Sequence, residues 1–447
     1  MPTDCNPEPI VFTPLAGRQL VAQFDGGRIT SDAGALLLRE VAGQSKLFQR
    51  MAAAVPDPRD PAMIEHDQQT LFAQRVLGIA CGWEDLNDHH TLRIDPLMQV
   101  ATDRDADETR PLASPATLCR LENRVDHRAC IELSKLLVEL FIESFGDQPP
   151  EELVLDFDAT DDPVHGNQEG RFFHGYYDNY CYLPLYVFCG EKLLVSYLRP
   201  SNIDAAHHSR AILKLLVTRL RQAWPQVRII FRGDSGFCRW RLLRWCDRHN
   251  VGYVIGLARN KVLEKIGQPF MLQAKQQYEQ TKQKQRIFTE FRYAAGSWDC
   301  ERRVIHKAEH NSQGDNPRFV VTNLTQEPQP LYDEVYCARG EMENRIKEQQ
   351  LGLFAGRTSC HKFVANQVRL LLSSFAYTLI EALRRTALAG TELARAQAST
   401  IRTKLLKIGA VVVKSVRRIV LRLSSAYPLQ TLFQQVAARL VPNVQME

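Results

Sequence analysis

Hydrophobic positions recur at helical spacing over the first third of the chain. A clear run consists of Ile131, Leu133, Leu136, Leu137, Leu140 and Phe141. Spacings of three and four residues place such side chains on one face of a helix. The pattern therefore predicts a mostly helical N-terminal domain over residues 1–146, after a short extended start, that ends at Gly146 and the following prolines.

From Glu152 onward, short apolar runs typical of buried strands replace the helical spacing. The predicted strands are 153–158, 181–189, 193–198, 227–231 and 251–255, and the second and third are expected to form a hairpin at Gly190-Glu191. The predicted helices between them are 204–224 and 238–248. This alternation predicts an α/β fold with helices on the faces of a mixed sheet, and the element order matches that of ribonuclease-H-like proteins.

A second β-rich stretch follows before the chain returns to helices. The strand-like patterns are Arg286–Arg292, Arg302–Lys307 and Arg318–Thr322. They predict a β-rich insertion over residues 259–329. The ribonuclease-H-like core is then expected to comprise residues 151–258 and 330–386.

Charge separates the C-terminal region, residues 387–447, from the rest of the chain. The net charge of the whole sequence is only +5, yet no acidic residue lies between Glu392 and Glu447. The cations of this stretch are Arg395, Arg402, Lys404, Lys407, Lys414, Arg417, Arg418, Arg422 and Arg439. The region, with a hairpin predicted at 410–423, presents either a solvated basic face or a surface that meets phosphate. Arg417 and Arg418 are its candidates for DNA contact.

Cysteine usage and the lengths of apolar runs indicate the cellular compartment in which the chain is expected to work. The eleven cysteines contain no CxxC pair, and several lie in apolar runs, so reduced thiols are expected and structural zinc is not. No run of about 18 apolar residues is present, so no membrane span is expected. The first residues lack the basic and apolar regions of a secretory signal. A cytoplasmic protein is predicted, nucleoid-associated if DNA is its partner.

Two acidic motifs follow predicted strands. The segment from Asp156 to Asp162 holds four carboxylates within seven residues, and a divalent cation would relieve their repulsion. Asp234 ends another apolar strand, at the edge of an open α/β sheet where ligands bind. The alternative for both motifs is a polar turn in which an aspartate caps the next element. Arg232 can contact phosphate or pair with an aspartate, and His165 is either near the cleft or a turn residue.

A third candidate motif has helical spacing. The positions that share one helix face are Tyr336, Arg339, Glu343, Lys347 and Gln350. Such a stripe is either a solvated face or a phosphate-positioning set beside a metal ligand. A strand-end Asp158, a strand-end Asp234 and a helical Glu343 can converge, and three carboxylates can hold two Mg²⁺ ions about 3.5–4 Å apart for in-line phosphoryl transfer.

With these motifs in this order, the sequence resembles the DDE transposases of bacterial insertion sequences, the subgroup with a Tyr-x2-Arg-x3-Glu signature. Tyr336, Arg339 and Glu343 match that signature. Asp158, in an Asp-x-Thr setting, matches the first family aspartate, and Asp234, in an Arg-x-Asp-x-Gly-Phe setting, matches the second. The family often has a lysine seven residues after the glutamate, where this chain has glutamine, with Lys347 one turn earlier.

The resemblance implies a transposase that cleaves and joins DNA strands. It implies catalysis and metal binding by Asp158, Asp234 and Glu343, two Mg²⁺ ions for which Mn²⁺ can substitute, and DNA contacts through Tyr336, Arg339 and Lys347. The implied partners are the terminal inverted repeats of a mobile element and target DNA, bound by a homodimer, and end recognition is expected in residues 1–145. The alternatives are a nuclease or junction resolvase that does not join strands, and a catalytically silent DNA-binding protein.

Overall fold

The structure is a computed structural model that describes residues 9–441. The chain forms two compact units. The first unit contains the chain up to Ala53, Asp57–Leu121 and the chain from Ala382, and the second contains Ala54–Pro56 and Glu122–Glu381. The change of unit thus falls near residue 121 and not at 146, the predicted end of the N-terminal domain.

Strands and helices are numbered in chain order. The strands are β1 (Ile10–Leu15), β2 (Arg18–Ala22), β3 (Ile29–Thr30), β4 (Glu152–Ala159), β5 (Asp162–Pro163), β6 (Phe172–His174), β7 (Asn179–Tyr182), β8 (Leu185–Cys189), β9 (Lys192–Tyr197), β10 (Arg228–Gly233), β11 (Gly252–Leu257), β12 (Gln285–Tyr293), β13 (Arg302–Asn311), β14 (Gly314–Asp315), β15 (Arg318–Thr322), β16 (Ala410–Lys414) and β17 (Ile419–Leu423). The helices are α1 (Ala35–Gln44), α2 (Leu47–Ala54), α3 (Gln68–Cys81), α4 (His89–Leu92), α5 (Pro96–Ala101), α6 (Pro115–Arg124), α7 (His127–Glu143), α8 (Ser209–Ala223), α9 (Trp240–Arg248), α10 (Lys261–Thr281), α11 (Pro328–Pro330), α12 (Gly340–Lys347), α13 (Phe363–Thr386), α14 (Ala398–Ile401) and α15 (Gln430–Leu440). Segments Leu331–Tyr336, Glu348–Gly352 and Arg402–Leu406 form π-helical turns.

The first unit joins the N-terminal helices to the basic C-terminal region. Strand β16 pairs with both β17 and β3, so the predicted C-terminal hairpin continues a sheet that begins near residue 29. The guanidinium of Arg402 donates to the carbonyl of Ala80 at 2.9 Å. Lys407 pairs at 2.6 Å with Asp32, whose side chain is buried. Part of the basic stretch therefore serves to hold this unit together.

A nine-stranded sheet organises the second unit. Its order is β12-β13-β15-β11-β10-β4-β8-β9, with β14 paired to β13. Strands β4, β10 and β11 are parallel, and the remaining pairs are antiparallel. The predicted insertion begins with the 21-residue helix α10, and its strands extend the same sheet because β15 pairs with β11.

The two faces of this sheet have different cores. On one face, Leu155, Phe157 and Phe231 pack in a large cluster that includes Val138 and Phe141 of α7. This packing explains why α7, predicted in the N-terminal domain, belongs to the second unit. On the other face, residues such as Ile230, Val254, Ile305 and Val320 lie under Leu331 and Tyr332. Because side chains alternate along a strand, Asp156 and Asp158 point to this second face.

Two predicted elements differ from the observed ones for local reasons. The predicted strand 181–189 is broken at Leu183-Pro184, since proline cannot donate to a ladder. Its first half, β7, instead pairs with β5 and β6 in a small separate sheet. The helix predicted from residue 204 begins at Ser209, because the side chain of Asp204 accepts from the amide of Ala206 at 2.9 Å and holds a turn there.

Helix α13 is the element that bears on the expectation about membrane spans. Within residues 9–441 it is the one helix long and apolar enough to cross a membrane by length and composition. However, 83% of its most apolar window is buried inside the protein. Burial of this degree is typical of a core helix.

Candidate active site

Two aspartates lie at the carboxyl ends of neighbouring parallel strands. Asp158 is near the end of β4, where its Oδ1 accepts from the amide of Ala159 at 2.9 Å and only 14% of its side chain is exposed. Asp234 directly follows β10, and its Oδ1 accepts from the amide of Gly236 at 2.8 Å, which closes the turn into the next segment. Because β4 and β10 are parallel, both carboxylates lie at the same sheet edge.

Arg339 connects this edge to the third carboxylate. Its Nη1 lies 3.3 Å from Oδ2 of Asp158, and its Nη2 lies 3.2 Å from Oε1 of Glu343, one turn later on α12. Burial lowers the pKa of Arg339, but the carboxylates of Asp158, Asp234 and Glu343 outweigh it and hold that pKa above its ordinary value. Asp158 and Glu343 therefore contact one guanidinium group, and Asp234 acts on it through its charge alone.

The site carries a surplus of negative charge. Burial, opposed by Arg339 and reinforced by the charges of Asp234 and Glu343, raises the pKa of Asp158 to about 6. A carboxyl held above its ordinary pKa in this way is destabilised in its charged form. An additional cation at this position would relieve that destabilisation.

The donor set suits a hard divalent cation in chemistry, although the side chains are not yet gathered around one. Carboxylate oxygens are the ligands that Mg²⁺ prefers. Within residues 9–441, no three His, Cys, Asp or Glu side chains lie close enough together to hold a metal ion. The positive charge that lies between Asp158 and Glu343 is that of the Arg339 guanidinium group. Half of the Glu343 side chain is exposed, so it can reorient without repacking a core.

Tyr336 lies against the turn that carries Asp234. A Cβ atom at Gly256 in β11 would be 2.7 Å from the Tyr336 hydroxyl and 2.9 Å from the amide nitrogen of Ser235. Only a glycine allows this close approach. Burial raises the pKa of Tyr336, against Arg339 and together with Asp234, so its hydroxyl remains a proton donor at neutral pH.

Asp156 is already neutralised by a partner. It faces Arg232 across the β4–β10 register, and the guanidinium makes a two-pronged salt bridge with it, with one contact at 2.6 Å. Both side chains are buried, at 3% and 9% exposure. Arg232 also donates to the carbonyl of Val335, directly before Tyr336. Of the two roles open to Arg232, pairing with an aspartate is the one observed.

The remaining candidates occupy different places. Gln350, at the position of the family lysine, donates from Nε2 to the carbonyl of Asp161 at 3.1 Å and so ties its helical turn to the loop after β4. Lys347 is exposed one turn after Glu343, and His165 is exposed in the loop beyond β5. Arg417 and Arg418 lie in the exposed turn between β16 and β17 of the first unit.

Asp162 is a buried acidic residue that the motif analysis did not single out. It is 2% exposed, and its Oδ2 accepts from the hydroxyl of Thr358 at 2.9 Å. Burial raises its pKa to about 7, with Thr358 opposing and Asp161 adding to the shift. Its place in the acidic run was visible in the sequence, but the contact with Thr358, almost 200 positions away, was not.

Residues 12–445 match the family model described as "Transposase DDE domain group 1". Among solved structures, the chain is similar to a cryo-EM structure of a piggyBac transposase synaptic complex with hairpin DNA, at 12% identity, with 85% of this chain and 80% of that chain covered and a TM-score of 0.42. Comparison with curated proteins returned no match.

Proposed function

The chain belongs to the DDE transposase family, and from this premise we propose that it cleaves and joins DNA strands at the terminal inverted repeats of a mobile element. The observation that carries the proposal is that Asp158 and Glu343 both contact Arg339, beside the parallel strand end that Asp234 follows. A ribonuclease-H-like core is part of the proposal, supported by the strand run β9-β8-β4-β10-β11, in which three antiparallel strands are followed by two parallel to β4.

In this proposal, Asp158, Asp234 and Glu343 hold two Mg²⁺ ions, for which Mn²⁺ can substitute. When bound, such ions activate water or a 3′-hydroxyl group and stabilise the leaving oxygen. Arg339 then exchanges its carboxylate partners for phosphate oxygens, which its planar fork suits. The Tyr336 hydroxyl donates to the same phosphate group, and the exposed Lys347 contacts the backbone nearby.

A nicking assay on a pre-bound DNA end tests the three carboxylates. Asp158→Asn, Asp234→Asn and Glu343→Gln should each keep DNA binding and lose cleavage with Mg²⁺ by about 10³-fold or more, which corresponds to about 4 kcal/mol of transition-state stabilisation. Glu341→Gln, at an exposed position on the same helix, is the matched control and should cleave normally.

Asp156→Asn should retain measurable cleavage, because Asp156 serves Arg232 and not the reacting group. Robust cleavage by Asp158→Asn together with an inactive Asp156→Asn would move the first ligand to Asp156. Robust cleavage by both Asp234→Asn and Glu343→Gln would overturn the three-carboxylate mechanism itself. Strand joining to target DNA separates a transposase from a nuclease or junction resolvase, which would release only cut product.

We also propose that residues 1–145 recognise DNA ends, that the chain acts as a homodimer on DNA, and that the basic stretch 395–439 contacts the DNA backbone. Some cations of this stretch have structural partners, such as Lys414, which pairs with Asp105 at 3.0 Å. Arg417 and Arg418 are exposed, and no ion pair engages them within residues 9–441. Arg417→Glu/Arg418→Glu should weaken binding to all sequences alike and lower the salt slope by about 0.9 per lost phosphate contact. Unchanged affinity at low salt would make this turn a solvated face.

A further inference from the structure

A basic groove lies on helix α9, outside the residues assigned above. It has a volume of about 270 Å³, and α8 and α9 supply its walls. The side chains that line it include Arg210, Trp240, Arg241, Arg244, Trp245 and Arg248. Four of these six residues are arginines, so the groove is defined by positive charge and aromatic rings.

Most of these arginines form no ion pair within the described residues 9–441. Arg244 reaches Asp299 at 3.7 Å, whereas the acidic neighbour on α9, Asp247, is taken by Arg302 at 3.0 Å. Within the described residues 9–441, no ion pair engages Arg210, Arg241 or Arg248. Three arginines on one groove without counter-charge favour an anionic occupant.

The spacing of these arginines follows one helix face. Arg241, Arg244 and Arg248 are at positions i, i+3 and i+7 of α9, and they span about 10 Å at 1.5 Å per residue. One strand of duplex DNA presents a phosphate about every 3.4 Å of helix axis, and because the strand winds around that axis its consecutive phosphates are farther apart in space. The row is therefore long enough to reach about two to three neighbouring phosphates. Arg210 adds a fourth cation from α8.

The aromatic rings are already engaged by neighbours on the same helix. The ring of Trp245 stacks on that of His249, with centroids 4.4 Å apart and 17° between the planes. The guanidinium of Arg241 lies 5.3 Å from the ring centroid of Trp240. Each tryptophan ring therefore has a neighbour on its own helix and is half-buried, so the four arginines are the groups that the groove chiefly presents to an anion such as the DNA backbone.

We propose that this groove, formed by Arg210, Arg241, Arg244 and Arg248, binds the phosphate backbone of double-stranded DNA without sequence preference. The proposal rests on the proposed function, in which DNA is the substrate. Its position is consistent with that role, because α9 begins six residues after Asp234 and so leads away from the edge that carries the candidate carboxylates. The groove would hold the duplex that enters or leaves that edge.

A salt titration of DNA binding tests the groove. Wild-type protein and the variant Arg210→Gln/Arg241→Gln/Arg248→Gln are titrated, with EDTA present so that no strand is cut, against a fluorescent duplex of arbitrary sequence. Three lost phosphate contacts should lower the slope of log K against log salt by about 2.7. The advantage of wild type over the variant should therefore shrink about 40-fold between about 50 and 200 mM salt.

The matched control removes the same number of charges elsewhere in the second unit. Lys265→Gln/Lys275→Gln/Lys282→Gln changes exposed positions at and beside helix α10 and should leave the salt slope at its wild-type value. Thermal melting of both triple variants shows that they are folded. A groove variant with the same slope as the control would overturn the groove while leaving the proposed function intact. If wild type itself fails to bind any DNA, the proposed function falls with it.

Discussion

Replacing Arg232 by methionine should cost the second unit about 3–5 kcal/mol of unfolding free energy at about pH 8. The reason is that Asp156, 3% exposed, would keep its charge without its guanidinium partner. The hydrogen bond that Arg232 donates to the Val335 carbonyl would be lost as well, at a cost of about 1 kcal/mol. Because Val335 precedes Tyr336, cleavage should fall together with stability.

The unfolding free energy that Arg232→Met loses relative to wild type should change with pH in one direction only. Burial already raises the pKa of Asp156 against the effect of Arg232, and loss of the guanidinium should raise it further. A carboxyl whose pKa is higher in the folded state than in the unfolded state stabilises the fold below its unfolded pKa, and this stability is lost as pH rises through the folded pKa. The difference in unfolding free energy between Arg232→Met and wild type should therefore become smaller as pH falls toward about 4.

Urea unfolding followed by tryptophan fluorescence measures this effect in the right place, because four of the five tryptophans lie in the second unit. The control is Arg228→Met on the same strand, which removes a pair with Glu152 that is 69% and 31% exposed, and it should cost about 1 kcal/mol or less. If Arg232→Met loses no more unfolding free energy than this control at every pH, the buried pair of Arg232 and Asp156 does not stabilise the site as argued.

Two further predictions concern the carboxyl ends of the central strands. Gly256→Ala should destabilise the protein by about 1–3 kcal/mol and reduce cleavage, because the new Cβ would lie 2.9 Å from the Ser235 amide nitrogen. The control Gly296→Ala, with open space around it, should be neutral, and equal melting temperatures of the two variants would contradict the prediction. Asp158→Asn should stabilise the metal-free protein by about 3 kcal/mol at about pH 8, since the Asp158 pKa rises from 3.8 to about 6 on folding, and the gain should vanish below about pH 4. A gain in melting temperature that is the same at both pH values would contradict that cause.

Features set by local periodicity were readable from the chain. The hairpin of β8 and β9, the strand before Asp234 and the helical spacing of Arg339 and Glu343 all follow from residues within a few positions of one another. Strand ends and helix faces are properties of such short segments, so the order of the three candidate carboxylates could be predicted. Their use in catalysis remains a prediction.

Choices between equivalent local patterns required the tertiary structure. Asp156 and Asp158 share one face of β4, and only the register with β10 places Arg232 against the first and leaves Arg339 for the second. The alternation of apolar and polar residues along a strand also does not predict which other strand pairs with it. The pairings of β15 with β11 and of β16 with β3 join segments far apart in sequence. Sequence by itself therefore determined which residues could carry the chemistry, whereas long-range strand pairing, whose partners no local pattern specifies, decided which of them came together.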